Sequence, residues 1–208
     1  MTTSDLRLIA CDLTCLRGGR LVFEGLSFEV AAGTALVLTG PNGSGKSSLL
    51  RQIAGLLDIP EGNLLLKGGD GEHSIAEQSH YVGHLDALKP SMSVIETLRF
   101  HVAYLEGERA LIDPALEAVA LGSLADLPVA YLSAGQKRRL ALARLVAVPR
   151  PLWLLDEPSV ALDKASVERL QSLMNTHLRG GGIIVAATHL DLGLERAQEL
   201  RLGAGVSA

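Results

Sequence analysis

The chain has 208 residues, 48% of them hydrophobic, which is enough to bury one substantial core but short for two independent ones. Its formal net charge of -4 argues against nucleic acid as a partner, because binding to a phosphate backbone depends on clustered lysine and arginine. No apolar run approaches the ~18 residues of a membrane-spanning helix, so we expect one domain that neither crosses a membrane by itself nor binds nucleic acid.

The first elements predicted along the chain are strands. Residues 6–13 and 25–30 alternate apolar and polar side chains, which predicts two antiparallel strands near a sheet edge. Residues 34–39 are almost wholly apolar and predict a buried strand, which stops at a glycine-rich loop. The apolar residues that follow at the spacing of one helical face are Leu49, Leu50, Ile53, Leu56 and Leu57. Strand, loop and helix are therefore expected in that order.

The rest of the chain alternates helices with buried strands. Hydrophilic residues 68–80 predict a loop, and the periodicity from about 92 to 146 is helical. Residues 152–155 and 183–187 predict two more buried strands, separated by a helix that begins at about Lys164. Buried strands alternating with helices are typical of an α/β fold with a parallel sheet. The spacing of Cys11 and Cys15 fits neither a zinc site nor a redox pair, which predicts free thiols.

A phosphate-binding loop follows the first buried strand. The residues that satisfy G-x-x-x-x-G-K-[ST] are Gly40, Pro41, Asn42, Gly43, Ser44, Gly45, Lys46 and Ser47, with Ser48 next in the helix. Its glycines let backbone NH groups point inward, and the helix N-terminus adds positive potential. Lys46 is expected to neutralise the β- and γ-phosphates, and Ser47 to ligate Mg²⁺ through its hydroxyl. The alternative, a chance glycine turn, is disfavoured by the strand and helix on either side.

Acidic residues end the second buried strand. Asp156 is predicted as the second ligand on the metal side, and Glu157 as the base that faces an attacking water, because strand side chains alternate. Alternatively, both acids cap the next helix. His189, at the tip of the third buried strand, either orients the water and the γ-phosphate or is structural.

Five motifs in this order resemble an ATP-binding cassette (ABC) ATPase. They are the P-loop at 40–47, the signature LSAGQ at 132–136, the Walker B run LWLLDEP at 152–158, the D-loop SVALD at 159–163 and the switch ATH at 187–189. The resemblance implies an α/β P-loop NTPase fold with a RecA-like parallel-sheet core, an N-terminal antiparallel β subdomain and an inserted α-helical subdomain. In this single domain, residues of about 1–83 and 148–208 would form the catalytic core, and about 84–147 the helical subdomain.

In that family two subunits pair head to tail, and each signature turn serves the ATP held by its partner's P-loop. The resemblance thus assigns Ser133, Gly135, Gln136 and the D-loop residue Asp163 to nucleotide binding. The next residues, Lys137, Arg138 and Arg139, are interpreted as a solvated charged face, with attraction for phosphate as the alternative.

Longer stretches such as YVGH and LSAGQKRRLALARL resemble the ATP-binding subunits of bacterial haem exporters of cytochrome c biogenesis. This implies a peripheral subunit on the cytoplasmic face of the inner membrane, bound to integral-membrane subunits and to a second copy of itself, with haem reached only through the complex. Rival interpretations are an ABC subunit for another substrate and a soluble ABC-type ATPase that acts on DNA or ribosomes. The DNA-repair proteins insert a long coiled coil before the signature, and the ribosome-acting ones carry two cassettes.

Three positions depart from the usual family pattern. His84 stands where most members have a glutamine that contacts Mg²⁺ or water, so either a water-mediated contact or a plain loop histidine is expected. Ala134 replaces the first signature glycine, which is tolerable only if its φ is negative. Arg17 stands where an aromatic ring usually stacks on adenine; either its guanidinium plane or the ring of Phe23 would take that role.

Overall fold

The computed structural model describes residues 5–203 of the chain. Its strands are β1 (Arg7–Arg17), β2 (Arg20–Ala31), β3 (Ala35–Thr39), β4 (Asn63–Lys67), β5 (Ser79–Val82), β6 (Leu152–Asp156), β7 (Ile183–Ala187) and β8 (Ala197–Arg201). Its α helices are α1 (Lys46–Ile53), α2 (Val94–Tyr104), α3 (Ile112–Ala118), α4 (Ala134–Ala147) and α5 (Lys164–Arg179). The α/β class that the sequence predicts is confirmed.

The first sheet is antiparallel, with the strand order β2-β1-β4. The two predicted N-terminal strands are confirmed, but they are longer than the alternating segments suggest, because Gly18 and Gly19 turn the chain at φ 55° and 76°. Only one of the five side chains of β4 is buried, so its short apolar run gave no strand pattern in the sequence.

The second sheet is parallel, with the order β5-β6-β7-β3-β8. Every residue of β6 and β7 is buried, which confirms the two strands predicted from apolar runs. Because parallel strands end at one edge of a sheet, the residues after β3, β6 and β7 meet there. Those residues are the P-loop, Glu157 and His189.

The predicted helix after the P-loop is shorter than expected. It ends at Ile53, and Leu56 is 64% exposed, so neither Leu56 nor Leu57 extends its buried face. Gly55 ends the turn at φ 69°. The predicted loop 68–80 also needs correction, because β5 begins at Ser79 and the buried amide of Gln78 donates to the carbonyls of Asp70 and His73.

The chain divides into two compact units. The first contains residues 5–83, 151–157 and 174–203, and its apolar core lies between α1 and the two sheets. The second contains residues 84–150 and 158–173, and α2, α3 and α4 pack around its core of leucine, valine and alanine. Ser93 begins α2 with a capping box completed by Glu96.

Two further expectations concern single features of the described residues. Cys11 and Cys15 are free thiols, the first exposed and the second buried. Within residues 5–203, none of the helices has the length and apolar character needed to span a membrane.

Candidate functional site

The P-loop is a tight backbone turn whose glycines cannot be replaced without strain. Gly40 has φ 128°, and a Cβ there would lie 2.2 Å from the carbonyl oxygen of Leu202. Gly45 has φ 102°, and its Cβ would lie 2.7 Å from Val22 Cγ1. Both positions therefore need glycine for conformation and for space.

The loop concentrates positive potential. Lys46 is buried, and its Nζ donates to the carbonyl oxygens of Gly40 at 2.7 Å and Pro41 at 3.1 Å. Helix α1 begins after Gly45 with neither a side-chain cap nor an acidic residue in its first turn, which leaves its first NH groups for an anion. An ammonium group and a helix N-terminus thus lie beside one another, as binding of a phosphate chain requires.

Two oxygen ligands meet at the end of β6. The hydroxyl of Ser47 donates to Asp156 Oδ1 at 3.0 Å, and Asp156 is 3% exposed. A hydroxyl and a carboxylate are oxygen donors of the kind that Mg²⁺ prefers, and Mg²⁺ usually takes its other ligands from phosphates and water. Ser47 and Asp156 therefore fit Mg²⁺. Both residues lie in the first unit.

Glu157 is oriented by its backbone. Strand β6 ends at Asp156, and Glu157 has φ 48°, a conformation that few residues other than glycine adopt; its NH donates to the Ala187 carbonyl at 2.8 Å. The predicted reason for its orientation, alternation along a strand, is therefore wrong. A left-handed residue at an active-site edge is typical of strain that the surrounding structure maintains.

The carboxylate of Glu157 lies beside the switch histidine. His189 Nε2 is 3.9 Å from Glu157 Oε1 and 3.2 Å from Asn42 Oδ1, so the imidazole is placed between the candidate base and the P-loop. Glu157 keeps 21% of its side chain exposed and His189 52%, which leaves both accessible to a substrate. The contact between Asn42 and His189 was not foreseen, because nothing in the local sequence links positions this far apart.

The signature turn is the N-terminus of α4. Ser133 Oγ accepts from the NH of Gln136 at 3.2 Å, and the Gln136 side chain accepts from the NH of Ser133 at 2.8 Å, which forms a capping box. Ala134 is the first helical residue and its φ is not positive, so alanine is tolerated here in place of the usual signature glycine. A Cβ on Gly135 would lie 2.8 Å from the Ala161 carbonyl, which explains why glycine is needed there.

The basic run after the signature is not a solvated face, and this prediction is wrong. Arg138 is only 3% exposed, bonds Asp86 Oδ1 at 2.9 Å and donates to the Pro158 carbonyl at 3.2 Å. Arg139 donates to the carbonyl oxygens of Val119 and Ala120. The partner of this cation, the half-buried Asp86, was missed because a single acid in a loop carries no pattern.

Two other predicted ligands have structural surroundings of their own. Asp163 accepts from the NH of Ser166 at 2.8 Å in the first turn of α5, and the hydrogen bonds from Ser166 lower the pKa of its carboxyl. His84 lies two residues beyond β5, at the start of the second unit, and is exposed.

The candidates for the adenine contact differ in position. Arg17 is exposed at the end of β1, opposite Arg20. Phe23 is half-buried, and its Cδ1 lies 2.9 Å from the point where a Cβ of Gly45 would stand, so its ring lies against the P-loop.

Ser48 bonds the buried Cys15, and burial raises the pKa of that thiol although the Ser48 bond and the charge of Arg17 lower it.

Comparisons with known proteins agree with this geometry. The family model described as ABC transporter matches residues 23–160. A cytochrome c biogenesis ATP-binding export protein CcmA of Rhodopseudomonas palustris (strain BisB18) is 57% identical over 198 residues, which is 95% of this chain and 98% of that protein. The protein of the same name from Bradyrhizobium diazoefficiens is 54% identical over 198 residues, again 95% of this chain and 98% of that protein.

Solved structures are similar in fold. A putative ABC transporter ATP-binding protein from Pyrococcus furiosus has a TM-score of 0.79 at 24% identity, covering 93% of this chain and 97% of its own. A bacterial Atm1-family ABC exporter with ATP bound has a TM-score of 0.77 at 24% identity over 97% of this chain and 38% of its own. At this identity the likeness establishes the fold alone, and it confirms the predicted ABC ATPase architecture.

Proposed function

The chain belongs to the ABC transporter family, among the cytochrome c biogenesis ATP-binding export proteins, and from this premise we propose that it hydrolyses ATP as a head-to-tail dimer that supports haem export. The observation that carries the proposal is the edge of the parallel sheet where Ser47 lies 3.0 Å from Asp156 and Glu157 lies 3.9 Å from His189. This edge brings together the P-loop and the residues proposed here as metal ligands and base.

The chain's own residues divide the work of phosphoryl transfer. Lys46 and the NH groups of the P-loop bind the β- and γ-phosphates, and Ser47 and Asp156 would hold Mg²⁺. When bound, Mg²⁺ neutralises charge that develops on the phosphate oxygens. Glu157 accepts the proton of the water whose oxygen bonds the γ-phosphorus as the bond to the leaving ADP oxygen breaks. His189 contacts the γ-phosphate, and Asn42 fixes the direction of its imidazole.

The second copy would complete each site. Ser133 is exposed at the N-terminus of α4, and no acidic residue in the first turn of that helix opposes an anion. In the proposed dimer, the NH of Gly135 and the side chains of Ser133 and Gln136 contact the γ-phosphate held by the partner, and Asp163 lies beside it. Of the two adenine candidates, Phe23 has support from its contact with the P-loop.

The proposed setting is the cytoplasmic face of the bacterial inner membrane, on integral-membrane subunits that carry the cargo. Haem is favoured over another substrate because the relatives that carry the cytochrome c biogenesis name align with this chain over nearly their whole length. A DNA-repair ATPase is disfavoured, since between α1 and α4 the two α helices have only 11 and 7 residues and neither can form a long coiled coil. Purification from membranes, with identification of the integral subunits that accompany the chain, tests the setting.

Complementation between two defective copies tests the shared site. Lys46→Ala removes the phosphate-binding ammonium, and Ser133→Asp keeps a good helix cap while placing a negative charge near the γ-phosphate. Each variant alone has a defect in both sites and should be inactive. An equal mixture should recover about a quarter of the wild-type ATPase activity, because half of its dimers carry one intact site. Ser133→Thr, which keeps cap and hydroxyl, is the matched control, and a mixture that stays inactive contradicts the shared site.

A further inference from the structure

Arg138 is a buried cation that connects two loops of the second unit to the signature helix. Its side chain is 4% exposed, and its NH1 lies 2.9 Å from Asp86 Oδ1. Its Nε donates to the Pro158 carbonyl oxygen at 3.2 Å. Asp86 lies two residues after His84, and Pro158 directly follows Glu157. The guanidinium of Arg138 therefore joins the signature helix α4 to the two chain segments that follow His84 and Glu157, both proposed residues of the nucleotide site.

The chemistry of this link needs arginine. A guanidinium donates in two directions from a rigid plane, whereas the ammonium of lysine is a single point of charge at the end of a flexible stem. Here Nε serves a backbone carbonyl while NH1 serves a carboxylate. Replacement by lysine could keep the ion pair with Asp86 but not both bonds in the same geometry.

A second contact, one turn earlier, holds α4 against the segment after Glu157. The Cα of Gly135 approaches the Ala161 carbonyl so closely that a Cβ would lie 2.8 Å away. Ala161 has φ 65°, a left-handed conformation that is unfavourable for alanine, so contacts with other residues must stabilise this segment. Gly135 and Arg138 thus fix the first two turns of α4 to residues 158–161 at two points.

Asp86 also balances a second buried cation. Burial lowers the pKa of the Arg144 guanidinium, the positive charge of Arg138 lowers it further, and Asp86 raises it. The side chain of Asp86 is 24% exposed, and its bond holds this loop to the buried guanidinium of Arg138. Loss of Asp86 would leave two like charges together in the interior.

We propose that Arg138 is a positioning residue for the ATP-dependent dimer, which rests on the function proposed above. By fixing the N-terminal part of α4, it presents Ser133 and Gly135 to the nucleotide of the partner copy. It lies in the second unit and does not belong to the P-loop, so its loss should weaken dimerisation without changing ATP binding by the single chain.

The test uses the full chain with the Glu157→Gln substitution, which should block turnover and let the ATP-bound dimer accumulate. Arg138→Met and Asp86→Asn are introduced separately and together, and light scattering gives the ATP concentration at half-maximal dimerisation. We expect each single variant to raise this concentration at least about fivefold, with the double variant no worse than the stronger single one, because the two residues act through one interaction. Arg138→Lys should recover part of the effect. Binding of ATP to the monomer, measured with Lys46 intact, should not change.

The matched control is Arg150→Met. Arg150 also donates to a backbone carbonyl of the second unit, that of Leu105 at 3.0 Å, but it contacts neither Asp86 nor Pro158 in any described hydrogen bond. Dimerisation of Arg138→Met at the same ATP concentration as Arg150→Met would overturn the proposal. If Arg138→Met does not fold, Asp86→Asn decides by the same comparison. Failure of Glu157→Gln itself to dimerise with ATP would instead refute the dimeric function.

Discussion

Acid should destabilise this protein through His177. The imidazole stacks on Trp153 with ring centroids 3.9 Å apart and planes 10° from parallel. Burial lowers the pKa of His177 from 6.5 to about 4, although bonds to the carbonyls of Ile183 and Pro151 raise it. Because the folded protein holds this histidine neutral, its share of the free energy of unfolding is complete above pH 6.5 and is lost as the pH falls from 6.5 towards 4.

The magnitude follows from the shift. Each pKa unit corresponds to about 1.36 kcal/mol, so the full loss for His177 is about 3 kcal/mol, of which about 2 kcal/mol is lost between pH 7 and pH 5. His101 adds a second contribution of the same sign, because burial and the charge of Arg144 lower its pKa to about 4 as well. Removal of His177 alone should therefore reduce the acid sensitivity and not abolish it.

The assay is urea unfolding of His177→Phe and wild type at pH 7 and pH 5. Phenylalanine keeps the stack but cannot take up a proton. Trp153 is the only tryptophan in the chain, so its fluorescence reports on the stack itself. We expect the wild type to lose about 2 kcal/mol more than His177→Phe between the two pH values. The exposed His73, which pairs with Asp70, provides the control His73→Asn. Equal losses in wild type and His177→Phe would refute the reasoning.

Three further predictions concern the nucleotide site. Glu157→Gln should bind ATP but lose roughly 10² to 10⁴ in turnover, measured as phosphate release, and near-normal hydrolysis would remove Glu157 from the role of base. Ser47→Ala should raise the Mg²⁺ concentration needed for half-maximal ATPase activity by about tenfold or more, because the metal loses one of its two proposed protein ligands. An unchanged Mg²⁺ titration contradicts the metal site. His84→Ala should leave ATP binding intact yet lower cytochrome c maturation in cells, and unchanged maturation would argue that His84 is a plain loop residue.

The parallel core could be predicted where burial and sequence coincide. Strands β6 and β7 are buried at every position, so their apolar runs identified them directly. Strand β8 has four exposed residues among its five and pairs with β3 at the sheet edge. Its sequence, AQELR, is polar, because an edge strand is held by backbone bonds that leave no pattern in the side chains. This is why β8 was missed while the strands at the centre of the parallel sheet were found.

The candidate site divides in the same way. The P-loop and Asp156 could be predicted because each leaves a local pattern in the sequence. The P-loop is a glycine-rich turn before a helix, and Asp156 is an acid at the end of an apolar strand. The contact of Asn42 with His189 joins residues 147 positions apart, and that of Arg138 with Asp86 joins residues 52 apart. Such contacts depend on how elements pack, which a local pattern does not record.

The basic run of α4 illustrates what a helix does to neighbouring residues. Consecutive positions of an α helix point about 100° apart, so three successive basic side chains cannot share one solvated face. In the structure, Arg138 turns inward to Asp86, while Arg139 reaches the carbonyl groups of Val119 and Ala120, where α3 ends. A cation is favourable at a helix C-terminus, and a buried cation needs a carboxylate. Helical geometry alone therefore predicts that the run splits, but only the packed structure identifies the partner of each charge, and it is this partner, Asp86, that gives Arg138 its proposed role.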